Sequence, residues 1–382
     1  MGLFDKIFGK WKQKTRADSI FKTLTAYSPV FTSWGGEIYE SELVRAAINA
    51  RAVHISKLKV EIHGSAKQRL QTRMKQAPNS FQTWGQFLYR LSTILDVQNT
   101  AFIVPVLDEY GEACGVYPVL PSRCTVVENA GEPWLRYQFS TGQVAAMEMK
   151  YCGILTKFQY QSDFFGENNH ALHPTMELIN MQDQGICEAT RQSSTFRFMA
   201  RLNNFSNDKD LAEESKRFTR DNMKNDSAVL LFPNTYADVK QIDSKPFVVD
   251  AEQMKCIREN VFDYFGVNSE ILQNKVVGDS WNAFYEGAVE PFAIQLSDVL
   301  TKMLFTESER SHHAFVMATA NRLQYMSTAD KINYATQMGD RGMVSVNEVR
   351  EVFNLPPVDG GERMPIRGEY YNANEKKEGK KK

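Results

Sequence analysis

Gly342-Met343-Val344-Ser345-Val346-Asn347-Glu348-Val349-Arg350, continued by Leu355-Pro356-Pro357-Val358-Asp359-Gly360-Gly361-Glu362, states its own local structure. Ser345 is an N-cap residue type, and Glu348 three positions on completes a capping box, so the spacing predicts a helix over Val346 to Phe353. The Pro-Pro and Gly-Gly pairs behind it close the ordered body. Just upstream, Ile332, Ala335 and Met338 mark another helix after Ser327 or Thr328, stopped by Gly339-Asp340-Arg341-Gly342. A strand is expected at Ala314 to Ala318. The last nine residues, Asn-Glu-Lys-Lys-Glu-Gly-Lys-Lys-Lys, read as a solvated basic tail.

Toward the N-terminus, a helix from Ala283 to Phe305 contains Pro291, which should kink it. Gly266 to Trp281 reads as a loose segment. Met254, Ile257, Val261 and Phe262 give a helix from Ala251 to Phe265. Before it lies a small α/β insert, with a helix at Asp210 to Met223 and strands at Ala228 to Phe232 and Tyr236 to Ile242. Pro174 opens a helix expected to run to Arg201, about 42 Å. Its sparse apolar positions suit a helix that spans domains or packs on copies of itself. The first 165 residues alternate helix and strand: a helix N-capped by Ser41, a strand through Leu58, Val60 and Ile62, a helix through Phe87 to Leu95, and strands at Ala101 to Val106, Val116 to Leu120, 124–128 and 135–139. The class is α+β. At the start, Leu3, Phe4, Ile7, Phe8 and Trp11 recur at helical spacing among Lys6, Lys10, Lys12 and Lys14, the pattern of a docking arm or a membrane-surface helix.

At 382 residues the chain has room for two or three domains, and 45 Lys+Arg against 46 Asp+Glu leave a net charge of -1. That balance argues against a protein that grips nucleic acid by neutralising many phosphates. The five scattered cysteines form no disulfide framework and no Cys-x-x-Cys pair, which fits a reducing compartment. Neither a signal-peptide core nor an apolar run long enough to cross a bilayer is expected. The P-loop, His-Glu-x-x-His, Gly-x-Ser-x-Gly and Gly-x-Gly-x-x-Gly signatures do not occur. His170/His173 and His312/His313 are weak metal pairs. Asp96, Asp108 and Glu109 flank strands, and a metal-dependent nucleic-acid-processing enzyme built on them is the alternative reading, beside a non-viral scaffold ring.

Several blocks, taken in order, resemble the portal proteins of long-tailed bacteriophages and prophages. They are Pro78-Asn79 with Thr83, Gln98-Asn99-Thr100-Ala101-Phe102, Tyr117-Pro118-Val119-Leu120-Pro121, Leu172-His173-Pro174, Phe265-Gly266-Val267-Asn268 and, most specific, the 342–362 block. The likeness spans roughly residues 40 to 362. It implies a portal-type fold: an N-terminal arm (1–40), an α+β wing (41–171), a first stem helix (172–201), a clip (202–249) and a second stem helix (250–266). A tunnel loop (267–282), a kinked helix with a return wing strand (283–326), crown helices (327–371) and a disordered basic tail (372–382) complete it. The resemblance further implies no enzyme activity and no cofactor or metal. It implies a ring of about twelve copies at the capsid vertex of a virion, assembled in the bacterial cytoplasm away from any membrane. Double-stranded DNA would pass through it during packaging and ejection, and the terminase large subunit, the major capsid and scaffold proteins and a head-tail connector would dock on it. Lys209, Lys216, Arg217, Arg220 and Lys224 would form the clip contact, and Glu270, Gln273, Asn274, Lys275, Gly278 and Asp279 the DNA-facing loop.

Overall fold

The computed structural model describes residues 22–23, 33–34, 36–37, 39, 41–139, 142–193, 198–202, 216, 236–241, 250–275, 279–319 and 328–366. In chain order the elements are β1 (Lys22–Thr23), β2 (Ser33–Trp34), β3 (Gly36–Glu37), α1 (Glu42–Ile55), β4 (Lys59–His63), α2 (Gln68–Gln76), α3 (Trp84–Gln98), β5 (Thr100–Leu107), β6 (Ala113–Val119), β7 (Cys124–Asn129), β8 (Glu132–Gln138), β9 (Val144–Glu148) and β10 (Gly153–Thr156). Then follow α4 (His173–Ser193), β11 (Phe198–Leu202), β12 (Tyr236–Gln241), α5 (Ala251–Tyr264), α6 (Ser269–Leu272), α7 (Asp279–Phe284), a π-helical turn (Tyr285–Val289), α8 (Glu290–Leu304), α9 (Glu307–Ser311), β13 (Phe315–Thr319), α10 (Thr328–Asp340) and α11 (Val346–Val352). The chain divides into two units, Met1–His173 with Arg258–Lys382, and Pro174–Ile257.

In the larger unit, α1 and α3 pack against each other through apolar faces at helical spacing. Val44, Ala47, Ile48, Ala52 and Ile55 are buried on α1, and Phe87, Leu88, Leu91, Ile94 and Leu95 on α3. Thr83 starts α3 with a full capping box, its hydroxyl accepting from Gln86 N–H while the Gln86 side chain accepts from Thr83 N–H. Ser41 stands at the N-cap of α1 as expected, yet its hydroxyl accepts no helix N–H.

Among the described residues every strand pairing is antiparallel. A four-stranded sheet (β1-β7-β8-β9) and a three-stranded sheet (β10-β5-β6) share one apolar cluster. Phe102, Val104 and Val119 enter it from the three-stranded sheet, Val126, Leu135 and Met147 from the four-stranded one, and Phe165 closes it edge-on to Phe102 at 5.6 Å. Tyr110-Gly111 turns the β5–β6 hairpin, where the Asp108 carboxylate accepts from the N–H groups of Tyr110 and Glu112.

After 250 residues of chain, β13 returns to pair with β4, Phe315 opposite His63 and Thr319 opposite Lys59. Val316 and Ala318 are buried toward α8, and their N–H groups donate to Thr301 Oγ1 and Ser297 Oγ, both at 2.9 Å. The strand expected at Ala314 to Ala318 is thus present one residue later, at Phe315–Thr319.

The helix expected from Ala283 to Phe305 is broken differently from a simple kink. Pro291 has no N–H to give to the turn before it. The helix absorbs this with the π turn over Tyr285–Val289, in which Glu290 N–H reaches back to Tyr285 O, and α8 restarts with the proline in its first turn.

In the second unit the long helix ends at Ser193, not Arg201, and 198–202 is β11, paired with β12 through a register shift at Arg201/Leu202. The Asp210–Met223 helix lies outside the described residues except Lys216, which is helical and exposed, and the Ala228–Phe232 strand lies wholly outside them.

At the C-terminal end the capping box of α11 is present as read, with Ser345 Oγ accepting from Glu348 N–H and Glu348 Oε2 accepting from Ser345 N–H. The helix α10 extends through Asp340, past the expected stop at Gly339. The chain then folds back over α11, and Val346 and Asn347 N–H donate to Arg363 O and Gly361 O. Two otherwise orphaned helix N–H groups are thereby satisfied. Asn347 fastens the return: Oδ1 accepts from Val358 N–H at 2.9 Å, and Nδ2 donates to Glu362 Oε1 at 2.8 Å. A Cβ on Gly361 would fall inside the Asn347 amide. Gly361→Ala is therefore expected to cost about 1–3 kcal/mol in urea melts. Pairing it with Asn347→Ala should recover part of that loss.

Candidate channel segment and its buried support

The segment after α5 is not loose throughout. Gly266, at φ +68, ends α5 with Gly266 N–H donating to Asp263 O and Val267 N–H to Phe262 O, a double-bonded cap that only a left-handed residue closes. Asn268 then caps α6, its side chain accepting from Ile271 N–H at 2.9 Å, while Ile271 is buried. Lys275 N–H closes the turn onto Glu270 O at 2.9 Å. Glu270, Gln273, Asn274 and Lys275 are exposed together on this short hooked segment. Gly278 lies outside the described residues; Asp279 opens α7, and its side chain is not described. The segment from Gly266 to Trp281, read as loose, thus holds the short helix α6 before 276–278 and the start of α7 after it.

At its far end the segment is held by aromatic contact. The His54 ring of α1 lies 4.7 Å from Trp281 and 5.4 Å from Phe284. Burial, with Lys57 nearby, lowers the His54 pKa from 6.5 to about 4.

Beneath lies a buried charge cluster. Asp96, on the apolar face of α3, is fully buried. Its Oδ1 accepts from Arg51 Nη1 on α1 and, at 2.8 Å, from Lys157 Nζ just beyond β10. Arg51 Nε also donates to Ala288 O in the π turn at 3.0 Å. Burial pulls the Lys157 pKa below its usual value, with Asp96 opposing the shift.

Beside the cluster, Asn169 Oδ1 accepts from Asn99 Nδ2 at 2.6 Å and from the Tyr264 hydroxyl at 2.7 Å, and Asn169 Nδ2 donates to Val97 O. Asn99 holds a left-handed φ of 51° at the end of α3, a conformation that asparagine tolerates. A cleft of about 770 Å³ opens beside Arg51, walled by Lys157, Phe158, Tyr264 and the π turn with α8.

The candidate metal residues are not brought together. Asp96 is spent on the buried cations, Asp108 on its hairpin turn, and Glu109 is exposed. The His170 and His173 rings lie 5.4 Å apart, tilted to one another, and His312 Nδ1 lies 2.8 Å from Ser308 O. Among the described residues no three metal-binding side chains converge. Of the basic insert residues, Lys216 is exposed, while Lys209, Arg217, Arg220 and Lys224 lie outside the described residues. Sequence reading missed Arg51, Asn169, Lys157 and Tyr264. A charged Arg51 and Asp96 at core-facing positions of apolar helices was the available signal.

Between pH 6.5 and about 4 the unfolded chain takes up a proton that the buried His54 resists, so stability is intact above that window and falls as pH drops through it. His54→Phe should shrink the loss of urea resistance between pH 7 and pH 5.

Residues 42–354 match the phage portal protein family. No curated protein sequence matches the chain. Among solved structures, the neck of a native gene transfer agent particle computed with C12 symmetry superposes with a TM-score of 0.56 at 14% identity, covering 83% of this chain and 91% of that one. The virion of a native gene transfer agent particle gives 0.55 at 15% identity, covering 84% and 92%. The crystal structure of an HK97-family phage portal protein from Corynebacterium diphtheriae gives 0.50 at 13%, covering 75% and 94%. At such identities these structures speak for the fold, which is α+β like theirs. With the ordered elements from α1 to the end of α11 inside the match, the chain belongs to the phage portal protein family.

Proposed function

We propose that this chain is the subunit of a ring at the unique capsid vertex of a virion, through which double-stranded DNA passes during packaging and ejection. The family match over residues 42–354 carries the reading. Twelve copies are proposed by analogy with the gene transfer agent neck, which was computed with C12 symmetry. The role is geometric and electrostatic; hydrolysis of ATP belongs to a separate motor.

Within this reading α4 and α5 are the stem helices, 202–249 is the clip that meets the terminase and the head-tail connector, and 267–282 is the tunnel loop. The wing is 41–171 with β13, and α10 and α11 form the crown, facing the capsid and scaffold. The near-neutral charge suits a conduit, because a channel that neutralised many phosphates would hold DNA rather than pass it. Lys275, exposed on the hooked segment, would touch the phosphate backbone transiently, with Glu270 and Asp279 keeping the loop from sticking.

Negative-stain electron microscopy of the purified chain is expected to show closed rings with a central hole. Monomers that stay monomeric in the presence of the capsid proteins would contradict the reading. Lys275→Glu is expected to shorten the DNA packaged per particle, read by gel after nuclease protection; full-length packaging would remove Lys275 from the proposed contact.

A further inference from the structure

Helix α2 carries charge of one sign only: Arg69, Arg73 and Lys75 are its ionisable residues, and no Asp or Glu stands among its nine positions. Leu70 and Met74, four residues apart, are buried, and the helix packs by that stripe on β4 and β6. At about 100° per residue, Arg69 and Arg73 flank the stripe on one side and Lys75 on the other, with Gln68, Thr72 and Gln76 between them on the outward face. All six are exposed. The helix is anchored at both ends: Gln71 Nε2 donates to Gly64 O and Ala66 O at 2.7 Å, and Trp84 Nε1 donates to Met74 O at 2.7 Å.

Among the described residues no carboxylate forms an ion pair with Arg69, Arg73 or Lys75. Lys67, just before the helix, turns back onto Leu304 O and Glu309, and Arg73 interacts with the half-buried Cys114 thiol, on which Asp108 also acts. No apolar side chain stands on the outward face, where a protein interface would have its aromatic or aliphatic anchor. Arginine forks, a lysine and neutral amide and hydroxyl donors are groups that meet phosphate oxygens, and they read charge without reading sequence. We infer that the outward face of α2 binds the phosphate backbone of double-stranded DNA through Arg69, Arg73 and Lys75, on a different element from the hooked segment of Lys275. Three contacts make the grip weak: at a slope of about -0.9 per phosphate, affinity falls about fortyfold for a fourfold rise in salt. The net charge of -1 is no obstacle, since these cations act locally. The inference goes beyond the conduit reading and does not need it, because it concerns duplex lying against the chain and not duplex passing through a ring.

Fluorescence anisotropy of the full chain with a labelled duplex of about 30 base pairs tests it, titrated from about 50 to 200 mM salt. Two duplexes of unrelated sequence are expected to bind alike. Arg69→Gln, Arg73→Gln and Lys75→Gln combined should weaken binding about tenfold or more at the lowest salt and flatten the plot of log affinity against log salt by about 2.7. Glutamine already occupies three positions of α2, so this variant is expected to fold, which its urea melt checks. A control that removes the same charge elsewhere, Lys150→Gln with Arg341→Gln and Arg363→Gln, should keep the parent's affinity and slope. An unchanged slope in the α2 variant overturns the inference. So does an equal loss in the control, which would make net charge the cause, and so does a parent chain that binds no duplex at about 50 mM salt. Monomers that bind the duplex through α2 would support it whatever becomes of the ring.

Discussion

A carboxylate with no exposure to water governs the larger unit. Burying a carboxylate costs several kcal/mol unless cations and hydrogen bonds answer it, and two cations reach Asp96. They come from different places, Arg51 from α1 and Lys157 from the end of β10, while Asp96 itself rides on α3. Apolar packing alone would let these elements slide over one another with little penalty, because hydrophobic contact is non-directional. The ion cluster removes that freedom. Through its second bond to Ala288 O, Arg51 extends the same constraint to the π turn, and so to the helix that carries β13 back to β4.

The neutral cluster around Asn169 has a related task at the boundary of the unit. The chain leaves the unit at His173 and re-enters it at Arg258. Asn169 lies four residues before the exit, Tyr264 six residues after the return, and one oxygen accepts from both Asn99 and Tyr264. Exit and return are thus bonded to the same backbone corner at the end of α3.

What the sequence revealed was mostly what neighbours in the chain decide. The Ser345/Glu348 capping box, the turn at Tyr110-Gly111 and the arrest of a helix near Gly266 each depend on a handful of adjacent residues. The α+β class and the order of elements followed from the same local rules. Contacts between distant residues were not legible: Arg51 and Asp96 are 45 residues apart and Lys157 a further 61, and no spacing rule joins them. The overlong reading of α4 has the same origin, since β11 exists by pairing with β12, more than thirty residues away in the chain. Strand β9 was missed because Val144-Ala145-Ala146-Met147-Glu148 is poor in strand-forming side chains and owes its conformation to pairing with β8. For the segment after Gly266, the hooked shape was not readable, because it arises where Ile271 buries itself and where His54 meets Trp281 and Phe284.

The π turn has an implication for how length changes would be tolerated. A π turn holds one more residue than the α-helical path between the same ends. Each residue added to or taken from an α-helix rotates everything beyond it by about 100°. Losing a single residue from Tyr285–Val289 would let the helix close up as ordinary α, with α8 still seated under β13. The residues ahead of it would keep their facing too, so Trp281 and Phe284 would stay against His54. In this fold the π turn is a place where the chain can shed one residue with the elements on both sides left in register, whereas the same deletion inside α8 would turn everything beyond it.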